Sequence, residues 1–377
     1  VAIGARRHIR RRGQRDREPG GMSEKTIGVG ILGAGNISDT HARAALAIPG
    51  VEVVAVYGQN AEKAARLAQT YGGRAYDRLE AFLDHRPMDL VAIGSPSALH
   101  ADEGIAAARR GLHVLTEKPI DVTTARADAL IDAAERADVR LGVFFQDRLK
   151  PDVVRMKQLI DDGAAGRPIL AAGHVKWYRP PEYYSGSRWR GVRALDGGGA
   201  LINQAIHTLD LLLHLVGPIA SVDARAGTTL HRIEVEDTLV ATLQFANGAL
   251  GIFEASTAVY PGYPRRVEVT GTNGTIVLEH DNLAAVDLLE PPKSAAAVAI
   301  VQEVASRNRD RSSAQNAASP VVSDATPHRR VLEDFIQAIH ARRAPVCDGR
   351  EGRRSVAVVE AIYESARRKA AVDISDS

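Results

Sequence analysis

The sequence predicts an α/β chain: an N-terminal doubly wound parallel sheet of the Rossmann type, followed by an α+β domain with a large, open, mainly antiparallel sheet. Three observations predict it. Short β-branched runs alternate with helically spaced segments over residues 26–146, and a glycine-rich turn joins the first such pair. Beyond residue 219, strand-like runs follow one another and are joined by Asn-Gly turns. A βαβα order builds a parallel sheet with ligands at the carboxyl ends of its strands, whereas strands linked by tight turns build an antiparallel one. The 377 residues suit more than one domain. We place a dinucleotide-binding domain at 22–147 and a substrate-binding and oligomerisation domain at 148–377.

The first strand is the apolar run Thr26 to Leu32. Gly33-Ala-Gly-Asn-Ile-Ser38 follows, and Asp39 to Ile48 has helical spacing. This is where a pyrophosphate would sit: Gly33 permits the tight turn, Gly35 lets the backbone approach, Asn36 and Ile37 of the turn are further cofactor contacts, and the helix N-terminus favours the negative charge. Ser38 takes the place of the usual third glycine. Val51 to Tyr57 is the second strand, and it ends at Gly58-Gln59-Asn60. An acid about 20 residues past the glycines would bind the adenosine ribose of NAD and repel the 2′-phosphate of NADP. Gly58 stands there instead, with Gln59 and Asn60 as hydrogen-bond donors and Lys63 or Arg78 near in sequence. The cofactor is therefore NAD or NADP, with a slight lean to NADP or dual use.

Helices at Ala61 to Gln69 and Leu79 to Leu83 precede a strand at Met88 to Ile93, which ends in Gly94-Ser95-Pro96. A helix at Ala101 to Arg110, capped by Gly111, leads to the strand His113 to Leu115 and then to Glu117-Lys118-Pro119. Asp121 to Ala137 reads as a helix and Arg140 to Phe145 as a strand. His174 to Tyr184 and Ser187 to Gly191 form an aromatic and basic stretch. Aromatic faces pack on sugar C–H groups while Arg and Lys bind hydroxyls or carboxylates, so Lys176, Tyr178, Trp189 and Arg190 are the expected substrate contacts. Strands follow at Ile219 to Thr229, Val235 to Phe245, Ala249 to Thr257, Arg265 to Gly271 and Gly274 to Glu279, with hairpin turns at Asn247-Gly248 and Asn273-Gly274. Pro291 to Pro327 is rich in Ala, Ser and Pro and reads as a long loop; helices at Val331 to His340 and Gly352 to Arg368 close the chain.

Composition narrows the function. Apolar residues make up 45% and charged residues 25% of the chain, as in globular proteins. Apolar runs such as Leu209 to Val216 fall short of the ~20 residues of a membrane span. Cys347 is the single cysteine, which excludes intrachain disulfides and cysteine-based zinc sites and suits a reducing cytoplasm. Residues 1–21 hold seven arginines against Asp16 and Glu18, so the net charge of +2 leaves a body three charges negative. Nucleic-acid binding by that body is disfavoured, since it needs clustered cations. The leader reads as sequence upstream of a start at Met22.

Beyond the glycine turn, Ser95-Pro96 with His100, Gly111 to Pro119 ending in Glu117-Lys118-Pro119, Gln146-Asp147-Arg148, and Gly197 to Asp210 with Asn203, His207 and Asp210 resemble the Gfo/Idh/MocA family, in the family's order, over residues 26–370. The resemblance implies cofactor contacts from Ser95, Pro96, His100, Glu117, Lys118, Gln146 and Arg148, a cis peptide at Lys118-Pro119, no metal, and a homodimer or homotetramer formed through the open sheet. Oxidising a carbinol needs a hydride acceptor, a base, and a donor for the oxygen. Lys118 suits the donor and His207 the base. Asn203, four residues before His207, shares its helix face and stands where the family usually has an acid; an amide can position substrate but cannot exchange protons. Asp210, three residues beyond His207 on the same face, is placed either to orient His207 or to cap a buried network. The leading expectation is an NAD(P)-dependent oxidoreductase acting on a secondary alcohol of a sugar or cyclitol. The alternatives are an NAD-dependent glycoside hydrolase with retained cofactor, or a non-catalytic NAD(P)-sensing regulator.

Overall fold

The computed structural model describes residues 26–187, 189–309 and 324–374; the arginine-rich leader lies outside them. Six strands form a parallel sheet: β1 (Ile27–Leu32), β2 (Val51–Tyr57), β3 (Arg74–Tyr76), β4 (Leu90–Ile93), β5 (His113–Thr116) and β6 (Leu141–Val143). Their order is β3-β2-β1-β4-β5-β6. The order reverses between β1 and β4, which opens a crevice at their carboxyl ends. Every residue of β1 and β4 is buried, as strands covered by helices on both faces must be. The first helix, Asn36–Leu46, starts three residues earlier than its apolar spacing suggests, straight out of the glycine turn. The helix Thr124–Arg136 starts later than expected, because the Thr123 hydroxyl accepts from Arg126 N and caps it there. Three-residue β3 carries too little pattern to be seen in sequence.

The second sheet comprises β7 (Pro168–Lys176), β8 (Ile219–Gly227), β9 (Thr238–Phe245), β10 (Leu250–Ser256), β11 (Arg266–Gly271), β12 (Gly274–Glu279), β13 (Asn282–Leu288) and β14 (Val372–Asp373). Their order is β13-β12-β11-β7-β10-β9-β8-β14, antiparallel except where β7 runs beside β10. Strands β7, β13 and β14 go beyond the sequence expectation. Leu209, Leu211, Leu212 and Leu215 of the helix Ile206–Val216 are buried in the core shared with this sheet. The helical stretch Arg193–Val216 is long and apolar enough to cross a membrane by length and composition, but 78% of its most apolar window is buried inside the fold. It is a core element.

The stretch 291–327 is not a continuous loop: Ala295–Arg309 is a helix, with Ala297, Ile300 and Val304 buried, and residues 310–323 lie outside the described residues. The two C-terminal helices, Thr326–Ala341 and Gly349–Arg368, both begin before their expected starts. They return toward the first sheet: Val331, Leu332, Phe335 and Ile336 share a core cluster with Val29 and Ile31 of β1. This packing brings His328 to the cofactor half of the site.

Candidate active site

The crevice between β1 and β4 deepens into a cleft of ≈ 770 Å³ that runs from the glycine turn to the helix carrying His207. At Gly33 the backbone turns with φ +116°, and a Cβ there would lie 2.7 Å from Ser38 Oγ and 2.8 Å from the Gly94 carbonyl oxygen. Only glycine fits. A Cβ on Gly35 would meet nothing within 4 Å, and no side chain caps the helix Asn36–Leu46 that follows. The turn thus leaves first-turn N–H groups open beside an accessible backbone, which suits a pyrophosphate. Gly58, Gln59, Asn60, Lys63, Ser95 and Pro96 line the same half of the cleft, with Asn36 and Ile37. A Cβ at Gly58 would lie 2.7 Å from Ala34 Cβ. Packing against Ala34 therefore accounts for the missing acid without any change of cofactor, which removes the basis for a lean to NADP.

Glu117, Lys118 and Pro119 follow β5, and the Lys118–Pro119 peptide is cis. Glu117 is buried; its Oε1 lies 3.1 Å from His41 Nε2 and 3.4 Å from His328 Nε2, while Oε2 accepts from the Lys118 amide at 3.2 Å. Burial alone would raise the Glu117 carboxyl, but the two histidines outweigh it and hold the group well below the usual carboxylate range. The donor atoms of His41, Glu117 and His328 lie within 4.8 Å of one another, a grouping that joins three remote segments and left no trace in the sequence pattern. His100 faces two carbonyl oxygens, Pro119 at 2.7 Å and Ser95 at 3.0 Å, and so ties the β4 and β5 loops together.

Lys118 Nζ donates to the Asn203 carbonyl oxygen at 2.9 Å, and burial lowers the ammonium's pKa. Asn203 lies in a π-helical turn, Ala200–Ala205, rather than in the α-helix expected there. Its Nδ2 donates to Asp196 Oδ1 at 2.6 Å and its Oδ1 accepts from Gln204 at 2.9 Å. His207 is the second residue of the α-helix that follows, Ile206–Val216, and also lines the cleft. Burial pushes its pKa down to about 3, so the imidazole is neutral at physiological pH.

Two sequence expectations are settled here. Of the two roles open to Asp210, the structure takes the buried network and not the orientation of His207: its carboxylate takes a bidentate pair from Arg148, at 2.8 and 2.6 Å, and a bond from Ser355. Arg148 does not line the cleft; its guanidinium is spent on Asp210 and Glu351, so its role is structural. The carboxylate beside His207 is Asp147, 3.7 Å from Nδ1. Asp147 in turn accepts from Arg265 and from Lys150, and Asp281 binds both cations. Burial would raise the Asp147 carboxyl, but Arg265, Lys150 and His207 together hold it well below its ordinary value. Gln146 lines the cleft, and its Oε1 is buried without a hydrogen-bond partner among the described residues.

The residues that line the cleft are displaced by one from those expected. Trp177 and Arg179 line the cleft, whereas Lys176 pairs with Glu254 at 3.2 Å and Tyr178 packs edge-on against Tyr260 at 5.3 Å. Alternation along an extended chain sends neighbouring residues to opposite faces, so choosing 176 and 178 selected the outer face. Trp189 and Arg190 do line the cleft, joined by Tyr183 of the same aromatic stretch and by Gln204, which the sequence reading passed over.

A glycine turn at a topological switch point, with an ammonium and a neutral imidazole facing it, defines the class: an NAD(P)-dependent oxidoreductase acting on CH–OH groups. Residues 27–145 match the oxidoreductase family with an NAD-binding Rossmann fold, and residues 153–277 match the Gfo/Idh/MocA C-terminal domain. The chain belongs to the Gfo/Idh/MocA family. Levoglucosan dehydrogenase of Pseudarthrobacter phenanthrenivorans is 27% identical over 93% of this chain and 98% of its own length. D-glucoside 3-dehydrogenase of Escherichia coli is 26% identical over 94% and 99%. The WlbA dehydrogenase from Bordetella pertussis, solved in complex with NADH and UDP-GlcNAcA, is 31% identical with a TM-score of 0.83, covering 94% of this chain and 100% of that one.

Proposed function

We propose that the protein oxidises a secondary alcohol of a sugar or cyclitol, with Lys118 and His207 as the groups that act on the reacting hydroxyl. The observation that carries this reading is the convergence of Lys118 and the neutral His207 on one cleft whose other half fits a dinucleotide. When bound, the nicotinamide supplies the hydride acceptor. The His207 imidazole takes the hydroxyl proton. Asp147, across from Nδ1, favours the imidazolium that then forms. The Lys118 ammonium, anchored by one bond to the Asn203 carbonyl oxygen, donates to the oxygen as it becomes a carbonyl. Asn203, clamped between Asp196 and Gln204, positions substrate without exchanging protons. The relatives carry dehydrogenase names, which leaves the glycoside-hydrolase and sensor readings without support. The cofactor half is assigned to Gly33, Gly35, Asn36, Ile37, Gly58, Gln59, Ser95, Pro96 and Gln146.

The second sheet supports the further proposal of a homo-oligomer. Leu170 lies opposite Leu250, and with Ile252 and Val240 these partly exposed side chains share its outer face. The test of the function is a fluorescence titration with NAD, NADH, NADP and NADPH, followed by sugars and cyclitols screened at the nicotinamide absorbance band. Saturable dinucleotide binding with turnover of a polyol is expected. A dinucleotide that binds without any polyol being oxidised would overturn the reading. Light scattering during chromatography tests the oligomer, and a monomer would refute that part.

A further inference from the structure

The substrate half of the cleft carries more positive charge than a neutral sugar calls for. Lys118, Arg179 and Arg190 line this half, while the acids among the described residues lining the whole cleft are Glu103 and Glu117. Neither acid pairs with Arg190: Glu103 accepts from Ser95, and Glu117 is engaged by His41, His328 and the Lys118 amide. Asp196, which lies nearby, uses its two oxygens on Gly191 N at 2.8 Å and Asn203 Nδ2 at 2.6 Å. The Arg190 guanidinium stacks 4.3 Å over the Tyr183 ring and 5.4 Å over Trp189, and its Nε is buried without a hydrogen-bond partner among the described residues. Among the described residues no acid forms an ion pair with it. The Arg179 guanidinium lies 5.4 Å from the same Tyr183 ring and 5.0 Å from Trp177, and it donates to Gln204. Two guanidiniums therefore lie within 5.4 Å of one tyrosine ring, whose hydroxyl accepts from Gln204 at 2.7 Å, next to Asn203.

Aromatic faces hold a guanidinium in place but supply no counter-charge, and a partly buried cation is best met by an anion. A guanidinium's planar fork also matches a carboxylate or a phosphoryl group. We infer that the substrate is a sugar bearing an anionic group, carboxylate or phosphoryl, which docks against Arg190 beside Tyr183, with Arg179 flanking the same ring, and so presents its alcohol to Lys118 and His207. This rests on the oxidoreductase reading above.

The experiment compares D-glucuronate, D-galacturonate, D-glucose 6-phosphate, D-glucose and myo-inositol as substrates of the full chain with NAD. Binding of each sugar to the NADH complex is followed in parallel by fluorescence. An anionic probe should exceed glucose in kcat/KM by at least about 30-fold, the usual loss when a buried charge partner is removed. The advantage should shrink by a similar factor in Arg190→Met and recover in part in Arg190→Lys, with Arg179→Met as the independent second variant. Preference for the uronates or for the phosphate assigns the anion. Glucose or inositol used as well as the acids, with the ratio unmoved in both arginine variants, overturns the inference and leaves the oxidoreductase reading standing. If no probe is oxidised, that reading fails instead, and binding judges the anion site: uronate and phosphate held no tighter than glucose overturns it.

Discussion

Placing an aspartate at position 58 separates packing from charge in cofactor recognition. In the structure the Cβ of any residue there would lie 2.7 Å from Ala34 Cβ, well inside ordinary van der Waals contact. Ala34 belongs to the glycine turn, so relief of the clash must displace the loop that receives the pyrophosphate. Overpacking of this kind costs about 1–3 kcal/mol, and if borne by the bound loop it weakens dinucleotide binding by roughly 5- to 150-fold. Gly58→Asp should therefore weaken NAD and NADP together. Adding Ala34→Gly removes the clashing methyl, so the double variant should regain NAD affinity. It should still bind NADP at least about tenfold less well, because a carboxylate close to a 2′-phosphate is repelled by several kcal/mol at intermediate dielectric. Fluorescence titration of both variants with both dinucleotides measures this. If Gly58→Asp alone binds NAD as the parent does, the packing argument is refuted.

Three further outcomes are expected. Lys118→Ala should lower kcat by about 100-fold or more while changing dinucleotide affinity by less than about threefold, checked by turnover and titration, because loss of a donor to the reacting oxygen is felt in the chemical step. Arg148→Met should cost about 3–5 kcal/mol in urea unfolding by stranding the buried Asp210 charge, yet leave cofactor affinity intact; unchanged stability with lost binding would return Arg148 to the cofactor site. The pH dependence has a definite sign. His207 is lowered to about 3 and His214 to about 4 by burial, so below pH 6.5 the unfolded chain binds protons that the folded chain refuses. Their contribution is complete above about pH 6.5 and is lost as pH falls toward these folded values. Unfolding titrations should show this acid limb flattened in His214→Gln.

Much of the cofactor half was legible because its signals are local. The glycine turn, the strand ends at Tyr57, Ile93 and Thr116, and the Glu117-Lys118-Pro119 segment each sit in a few consecutive residues. Strand β7 was missed because Ala171, Ala172 and Gly173 are buried in succession, which erases the period of two. The helix Ala295–Arg309 was taken for loop on its alanine and serine content, although Ala297, Ile300 and Val304 are three and four apart, as a buried helical stripe requires. Asp147 could not be found from sequence, since its approach to His207 depends on two segments meeting across the fold. Arg148 was misassigned because a motif position reveals residue type but not where a guanidinium points; tertiary pairing with Asp210 decided it.

The central claim is transfer of a substrate hydrogen within this cleft, and isotope tracing tests it most directly. A sugar acid or polyol found to be a substrate is prepared with deuterium at the reacting carbon and incubated with NAD and the enzyme, and the nicotinamide product is weighed by mass spectrometry. The account predicts that deuterium appears in the reduced nicotinamide and that Lys118→Ala forms this product far more slowly. A substrate consumed with no deuterium in the nicotinamide would contradict it.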